Sequence, residues 1–164
     1  TPSPIITISI KSTTKPSDHN LKEGDTVSGI STNDPDIYII NDHGYKRLFL
    51  NPIIFNFYGH LGGFKWVKTI SSNTRDVFIT TQLFRNCDPS NSSGQAPDPK
   101  VYALNVTGED TGTLHHLNMT GGQAVLEDPD FFKKVFCINN HEFNWYQKSI
   151  PYTSLSQVPV YVRR

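Results

Sequence analysis

The chain has 164 residues, 36% of them hydrophobic, 12% aromatic and 18% charged, with 15 Lys+Arg balancing 15 Asp+Glu for a net charge of zero. That length holds one ordinary domain or two small intimate ones, with a core of aromatic rings, Ile and Val rather than a leucine-rich helical interface. The balance excludes the basic excess of a nucleic-acid binder and a polybasic membrane patch, and no apolar run is long enough to span a bilayer.

Two prolines in Thr1-Pro2-Ser3-Pro4 rule out regular structure there. Ile5, Ile6, Ile8 and Ile10, interleaved with Thr7 and Ser9, predict a β-branched strand. Because polar residues follow it as far as Asn20, this strand reads either as part of the main body or as an arm that adds to a neighbouring sheet. Gly24-Asp25-Thr26-Val27 is a turn entering a short strand. Ile37 to Ile40 is a strand, Asn41-Asp42-His43-Gly44 has hairpin-turn chemistry, and Tyr45 to Leu50 is the return strand. Asn51-Pro52 signals a helix start, and Gly59 stops that helix. A strand from Trp66 to Ile70 and a helix or turn begun at Ser72-Asn73-Thr74 complete the first half.

After a Pro/Ser/Asn/Gly loop the pattern returns. Asp34-Pro35 matches Asp98-Pro99, and Tyr38 matches Tyr102. Leu50-Asn51 matches Leu117-Asn118, and Phe64, Lys65, Val67 and Ile70 match Phe132, Lys133, Val135 and Ile138. Phe78 matches Tyr146. The offset drifts only inside turns, as duplication requires. One copy of about 45 residues is too small to hold a core alone. The expectation is an α+β fold of two tandem ββαβα-like repeats packed with pseudo-two-fold symmetry, plus the N-terminal strand or arm. The boundaries are 1–20 for the arm and linker, 21–86 for the first repeat, 87–97 for a linker loop, 98–151 for the second repeat and 152–164 for the tail.

Cys87 and Cys137 permit a single intramolecular pairing, which on these boundaries would tie the repeats together; the alternative is that Cys137 is a small buried hydrophobe. Two cysteines without further ligands are too few for structural zinc, and His115-His116 on a strand point to opposite faces. Asp34/Asp36 and Glu127-Asp128-Pro129-Asp130 are not EF-hand loops and read as turn and capping carboxylates. No nucleophile elbow, phosphate cradle or catalytic cysteine signature is present. No enzyme activity, metal or cofactor is expected. Tyr45, Trp66, His115 and His116 are the candidate ligand-binding side chains. Trp145 reads as core.

Gly24-Asp25-Thr26-Val27, Pro35-Asp36-Ile37-Tyr38-Ile39-Ile40 and Gly44-Tyr45-Lys46-Arg47-Leu48-Phe49-Leu50-Asn51 resemble a tandem-repeat module of secreted, S-layer-like cell-surface proteins of candidate-phylum bacteria. Asp98-Pro99-Lys100-Val101-Tyr102-Ala103 and Gly112-Thr113-Leu114-His115-His116-Leu117 resemble its second half. The resemblance covers about residues 21–151. Two places depart from it: Leu83-Phe84-Arg85-Asn86-Cys87 stands where a glycine-rich joint is expected, and His115-His116 stands where the pattern has Arg-Trp.

The resemblance implies an extracellular, cell-surface setting and no catalytic residues. The function expected from it is a structural, non-enzymatic module of a surface layer or filament. Such a module would self-associate with copies of itself or with other surface modules, through edge strands and the arm of Ile5, Ile6, Ile8 and Ile10. The alternative is a glycan- or peptidoglycan-binding module that uses exposed rings, and a hydrolase ranks last. Neither membrane insertion nor nucleic acid enters this reading.

Overall fold

The structure is a computed structural model and describes residues 11–30, 35–88 and 98–160. The strand expected at Ile5, Ile6, Ile8 and Ile10 lies outside the described residues. The first unit contains strands β1 (Thr26–Gly29), β2 (Ile37–Ile40) and β3 (Tyr45–Phe49), helix α1 (Pro52–Asn56), β4 (Lys68–Ile70), α2 (Ser72–Val77) and β5 (Ile79–Thr80). The second contains β6 (Leu83–Asn86), β7 (Val101–Val106), β8 (Gly112–Leu117), α3 (Gly121–Glu127), β9 (Val135–Ile138), α4 (Asn140–Trp145) and β10 (Gln147–Tyr152). Their sheets run β4-β1-β2-β3-β5 and β10-β8-β7-β6-β9.

Strand for strand these are the same topology: an antiparallel meander of three, flanked on each side by a strand that follows a helix and pairs parallel. The α+β class and the two similar, pseudo-symmetric units are therefore present. Each unit is longer than the ββαβα pattern read from the sequence, because a strand opens it and another closes it. Leu83–Asn86, placed by the sequence with the first repeat, is the opening strand of the second sheet, paired with Val101–Val106 and Val135–Ile138. Only Thr81 and Gln82 separate β5 from β6. The long Pro/Ser loop that looked like a boundary instead lies inside the second unit, between β6 and β7.

The helices are short, so capping and tertiary packing must hold them. Asn51 accepts from the Ile54 N–H at 2.9 Å with Pro52 at the first helical position. Ser71 caps α2, Thr120 forms a capping box with Gln123, and Asn139 accepts from the Glu142 N–H at 3.0 Å.

The core has three parts. Between the sheets, Tyr45, Phe49, Ile54, Phe55 and Tyr58 of the first unit meet Phe84, Leu104, Leu114, Phe136, Ile138 and Tyr146 of the second. Behind the first sheet lie Leu21, Val27, Tyr38, Ile40 and Phe78. Behind the second lie Leu83, Ala103, Leu117, Ala124, Phe131 and Tyr152. Equivalent positions fall in different parts: Phe78 and Tyr38 are behind the first sheet, whereas Tyr146 and Tyr102 pack between the sheets. A strict two-fold would bring like faces together. Here the α1 side of the first unit meets the α4 side of the second, so the units stack front to back.

The outer face of the first unit is covered by the segment before β1. A 3-10 turn at Pro16–His19 leads into buried Leu21, and the His19 ring lies edge-on to Phe78 at 5.6 Å.

Candidate functional site

The densest polar constellation sits between the units. Alternation along β3 puts Tyr45, Arg47 and Phe49 on the face turned to the second sheet. Arg47 is there 1% exposed and paired with Glu142 of α4, which is 0% exposed. Glu142 also accepts from the Tyr58 hydroxyl at 2.5 Å and the Tyr146 hydroxyl at 2.7 Å. The guanidinium lies 4.3 Å from the Phe49 ring centre and 4.9 Å from that of Phe84. The Tyr58 oxygen in turn accepts from the Asn139 N–H at 3.1 Å. Each oxygen of the carboxylate thus has a partner, as a buried charge requires. Burial, reinforced by the Glu142 charge, pushes both hydroxyls well above the ordinary tyrosine value. Sequence reading did not single out this group. The available signal was an arginine on the same strand face as two aromatic residues.

Tyr45, read as a candidate ligand ring, is fully buried. Its hydroxyl donates to Asp130 at 2.7 Å and accepts from the Ser12 N–H at 3.1 Å. Burial pushes the phenol up to about 12, the neighbouring Asp130 adding to the shift, while the hydrogen bond from Tyr45 holds the Asp130 carboxyl below its usual value. His115 is also buried and stacks on Tyr152 with ring centres 4.2 Å apart. Its ring nitrogens are engaged by the Thr113 hydroxyl at 2.8 Å and the Ile150 carbonyl at 2.7 Å. His116 points to the other face, half-buried against Tyr102 at 5.7 Å. The two histidines do not converge, and neither Tyr45 nor His115 is available to an external ligand.

Trp66 is available: it is 65% exposed, resting against Gly62, with Phe64 nearby in the same 3-10 turn. Trp145, read from the sequence as core, is instead exposed at 38%, and its indole N–H donates to the Asp110 carbonyl at 3.3 Å.

A groove of about 710 Å³ runs between the units, floored by Phe49, Leu50, Pro52, Phe55 and Phe64 and walled by Asp36, Val106, Glu109 and Asp110. A second, of about 620 Å³, is bordered by Tyr58, His60, Lys133, Cys87 and Cys137. No group of three His, Cys, Asp or Glu side chains is gathered for a metal ion among the described residues. Asp128 is held by Lys134 at 2.7 Å, and Asp130 faces Tyr45 and Lys133.

Cys87 and Cys137 are joined by a disulfide with Cα atoms 5.4 Å apart. Because Cys87 follows β6 and Cys137 lies in β9, the bridge links two neighbouring strands of the second unit instead of the two repeats. A disulfide fits a chain that folds in an oxidising compartment, and no helix among the described residues is long and apolar enough to cross a membrane. In comparisons with known proteins, no family model, curated protein or solved structure matches the chain.

Proposed function

We propose that the chain is a structural, non-enzymatic module of an extracellular bacterial cell-surface assembly, a surface layer or filament, that self-associates through strand edges and its N-terminal arm. The observation that carries this reading is β10, an edge strand whose residues Gln147, Lys148, Ser149, Ile150 and Pro151 are all exposed, Ile150 at 71%. Open edges accept added strands, and the Ile5, Ile6, Ile8, Ile10 segment has the matching β-branched composition. The buried Arg47–Glu142 group and the disulfide support the same reading, since each ties elements of the body together.

Deleting residues 1–10, or placing charges on the edge with Q147K/I150K, should leave a folded monomer that no longer forms ordered assemblies by electron microscopy. Undiminished assembly by both variants would sink the strand-addition mechanism.

The second reading is a glycan- or peptidoglycan-binding module, favoured by the exposure of Trp66 beside Phe64. Under it, W66A loses retention on cell-wall material at unchanged thermal stability.

A further inference from the structure

The disulfide sits where the second sheet leads into the helix that meets the first unit. Cys87 follows β6, its N–H donating to the Ile138 carbonyl at 3.0 Å, and Cys137 lies in β9. Residues on either side of Cys87 hold the start of α4. Asn86 donates to the Asn140 side-chain oxygen at 2.7 Å, and Asp88 accepts from the Asn140 N–H at 2.8 Å while its own N–H donates to Asn86 at 3.1 Å. One residue before Asn140, the Asn139 amide donates to the Phe57 carbonyl at 2.9 Å and its backbone N–H to the Tyr58 oxygen at 3.1 Å. Two residues after Asn140, Glu142 pairs with Arg47. The bridge, the start of α4 and the contact with the first unit are therefore neighbours in one network.

The first unit builds the same ladder without a bridge. β1 and β4 pair as β6 and β9 do, Val27 with Lys68 where the second unit has Phe84 with Phe136. Ile30 and Thr69 stand in the places of Cys87 and Cys137, and α2 follows β4 as α4 follows β9. The fold of a unit does not need the bridge; what sets the second unit apart is that its helix carries the carboxylate that crosses to the first. The bridge is also within reach of solvent. Cys137 is exposed between buried Phe136 and Ile138, and both cysteines border the second groove.

We propose that Cys87–Cys137 is a redox-operated latch on the joint between the units. A thiolate of a dithiol reductant attacks the Cys137 Sγ, forming a mixed disulfide and expelling the Cys87 sulfur as a thiolate. The reductant's second thiolate then displaces Cys137 and closes the reductant's own disulfide, so the protein gains two electrons and two protons and the reductant loses them. Once cut, the end of β6 frays, because the Cys87–Ile138 bond is the last rung of its ladder and ladder ends open first. Asn86 and Asp88 then leave the start of α4, and the helix loosens its hold on Arg47, Tyr58 and Phe57. Reoxidation restores the latch. This device is independent of the self-association reading.

The test treats the full chain with dithiothreitol without denaturant and follows thiol release, hydrogen exchange and fluorescence together. Free thiols should appear, and amide exchange in Asn140–Trp145 should become at least about tenfold faster, while β2, β7 and β8 keep their protection. In W66F, which leaves Trp145 of α4 as the single tryptophan, emission should move to longer wavelength as the indole leaves the Asp110 carbonyl and the Phe57 ring. Oxidised glutathione should reverse both changes. D88A, with the bridge intact, should speed exchange at the start of α4 in the same direction. In E142Q, reduction should add less to α4 exchange than it does in the wild type, since coupled contacts are not additive. Thiols that appear only in denaturant, thiol release that leaves α4 exchange unchanged, or exchange that rises equally in every strand overturns the latch, and fully additive effects of reduction and E142Q overturn its link to the ion pair.

Discussion

Arg47 and Glu142, separated by 95 positions in sequence, form a fully buried ion pair that joins β3 of the first unit to α4 of the second. Removing one partner leaves a buried charge uncompensated, which costs about 3–5 kcal/mol. E142A should therefore lower unfolding free energy by that amount in urea titrations and also strand the hydroxyls of Tyr58 and Tyr146. E142Q should cost less, because the amide oxygen still accepts one of those hydroxyls. If E142A changes stability by less than about 1 kcal/mol, the pair does not hold the units together.

The buried phenols of Tyr45, Tyr58 and Tyr146 give the protein an alkaline limit. Tyr45 is pushed up to about 12 by burial and the Asp130 carboxylate, and Tyr58 and Tyr146 are pushed up by burial and Glu142. A raised folded-state value means that the native protein keeps a proton the unfolded chain has already released. Stability from these groups is complete below the ordinary tyrosine value of 10.0 and declines as pH climbs from there towards about 12 for Tyr45. Urea midpoints should fall steeply above pH 10. Y58F should be less stable at neutral pH, having lost its bonds to Glu142 and Asn139, yet show a slope shallower by about 1.4 kcal/mol per pH unit.

The disulfide closes a loop with a sequence separation of 50, worth about 4 kcal/mol on the chain-entropy model. Since both cysteines belong to the second sheet, C87S/C137S should loosen that unit first. Hydrogen exchange should rise in β6 and β9 before it rises in β2 and β3. Equal loosening of both sheets would mean that the units unfold as one.

How far the sequence revealed this molecule depends on which kind of signal each feature carries. Duplicated turns, caps and apolar positions are local, so the two units, the cap at Asn51 and the equivalence of Phe78 with Tyr146 were readable. Leu83–Asn86 was not, because two apolar residues followed by Arg85-Asn86 give no periodicity, and strand identity there comes from pairing on both sides. The same limit hid the destination of Tyr45 and His115. An aromatic or a histidine on a strand has two faces open to it, and which of them is buried depends on which sides of the units meet. Front-to-back stacking places Tyr38 and Tyr102, the same residue in the repeat, against different neighbours. Trp66, read from the sequence as the opening of a strand, lies instead on a 3-10 turn outside both sheets and is exposed.

Gly44 tests how firmly the segment before β1 is seated. It has φ +84°, and a Cβ there would lie 2.1 Å from the Ser12 Oγ and 2.2 Å from the Thr14 carbonyl oxygen. Gly24, with φ +87°, has nothing within 4 Å of the same position. G24A should therefore cost only the backbone penalty of about 1–2 kcal/mol. G44A should cost about 1–3 kcal/mol more, because a backbone carbonyl cannot swing aside as a flexible side chain can. The extra loss should come with faster proteolysis around Lys15, as Ser12 is displaced from the Tyr45 hydroxyl. Equal stability losses for the two alanine variants would show that the segment yields freely and contributes little to covering the first unit.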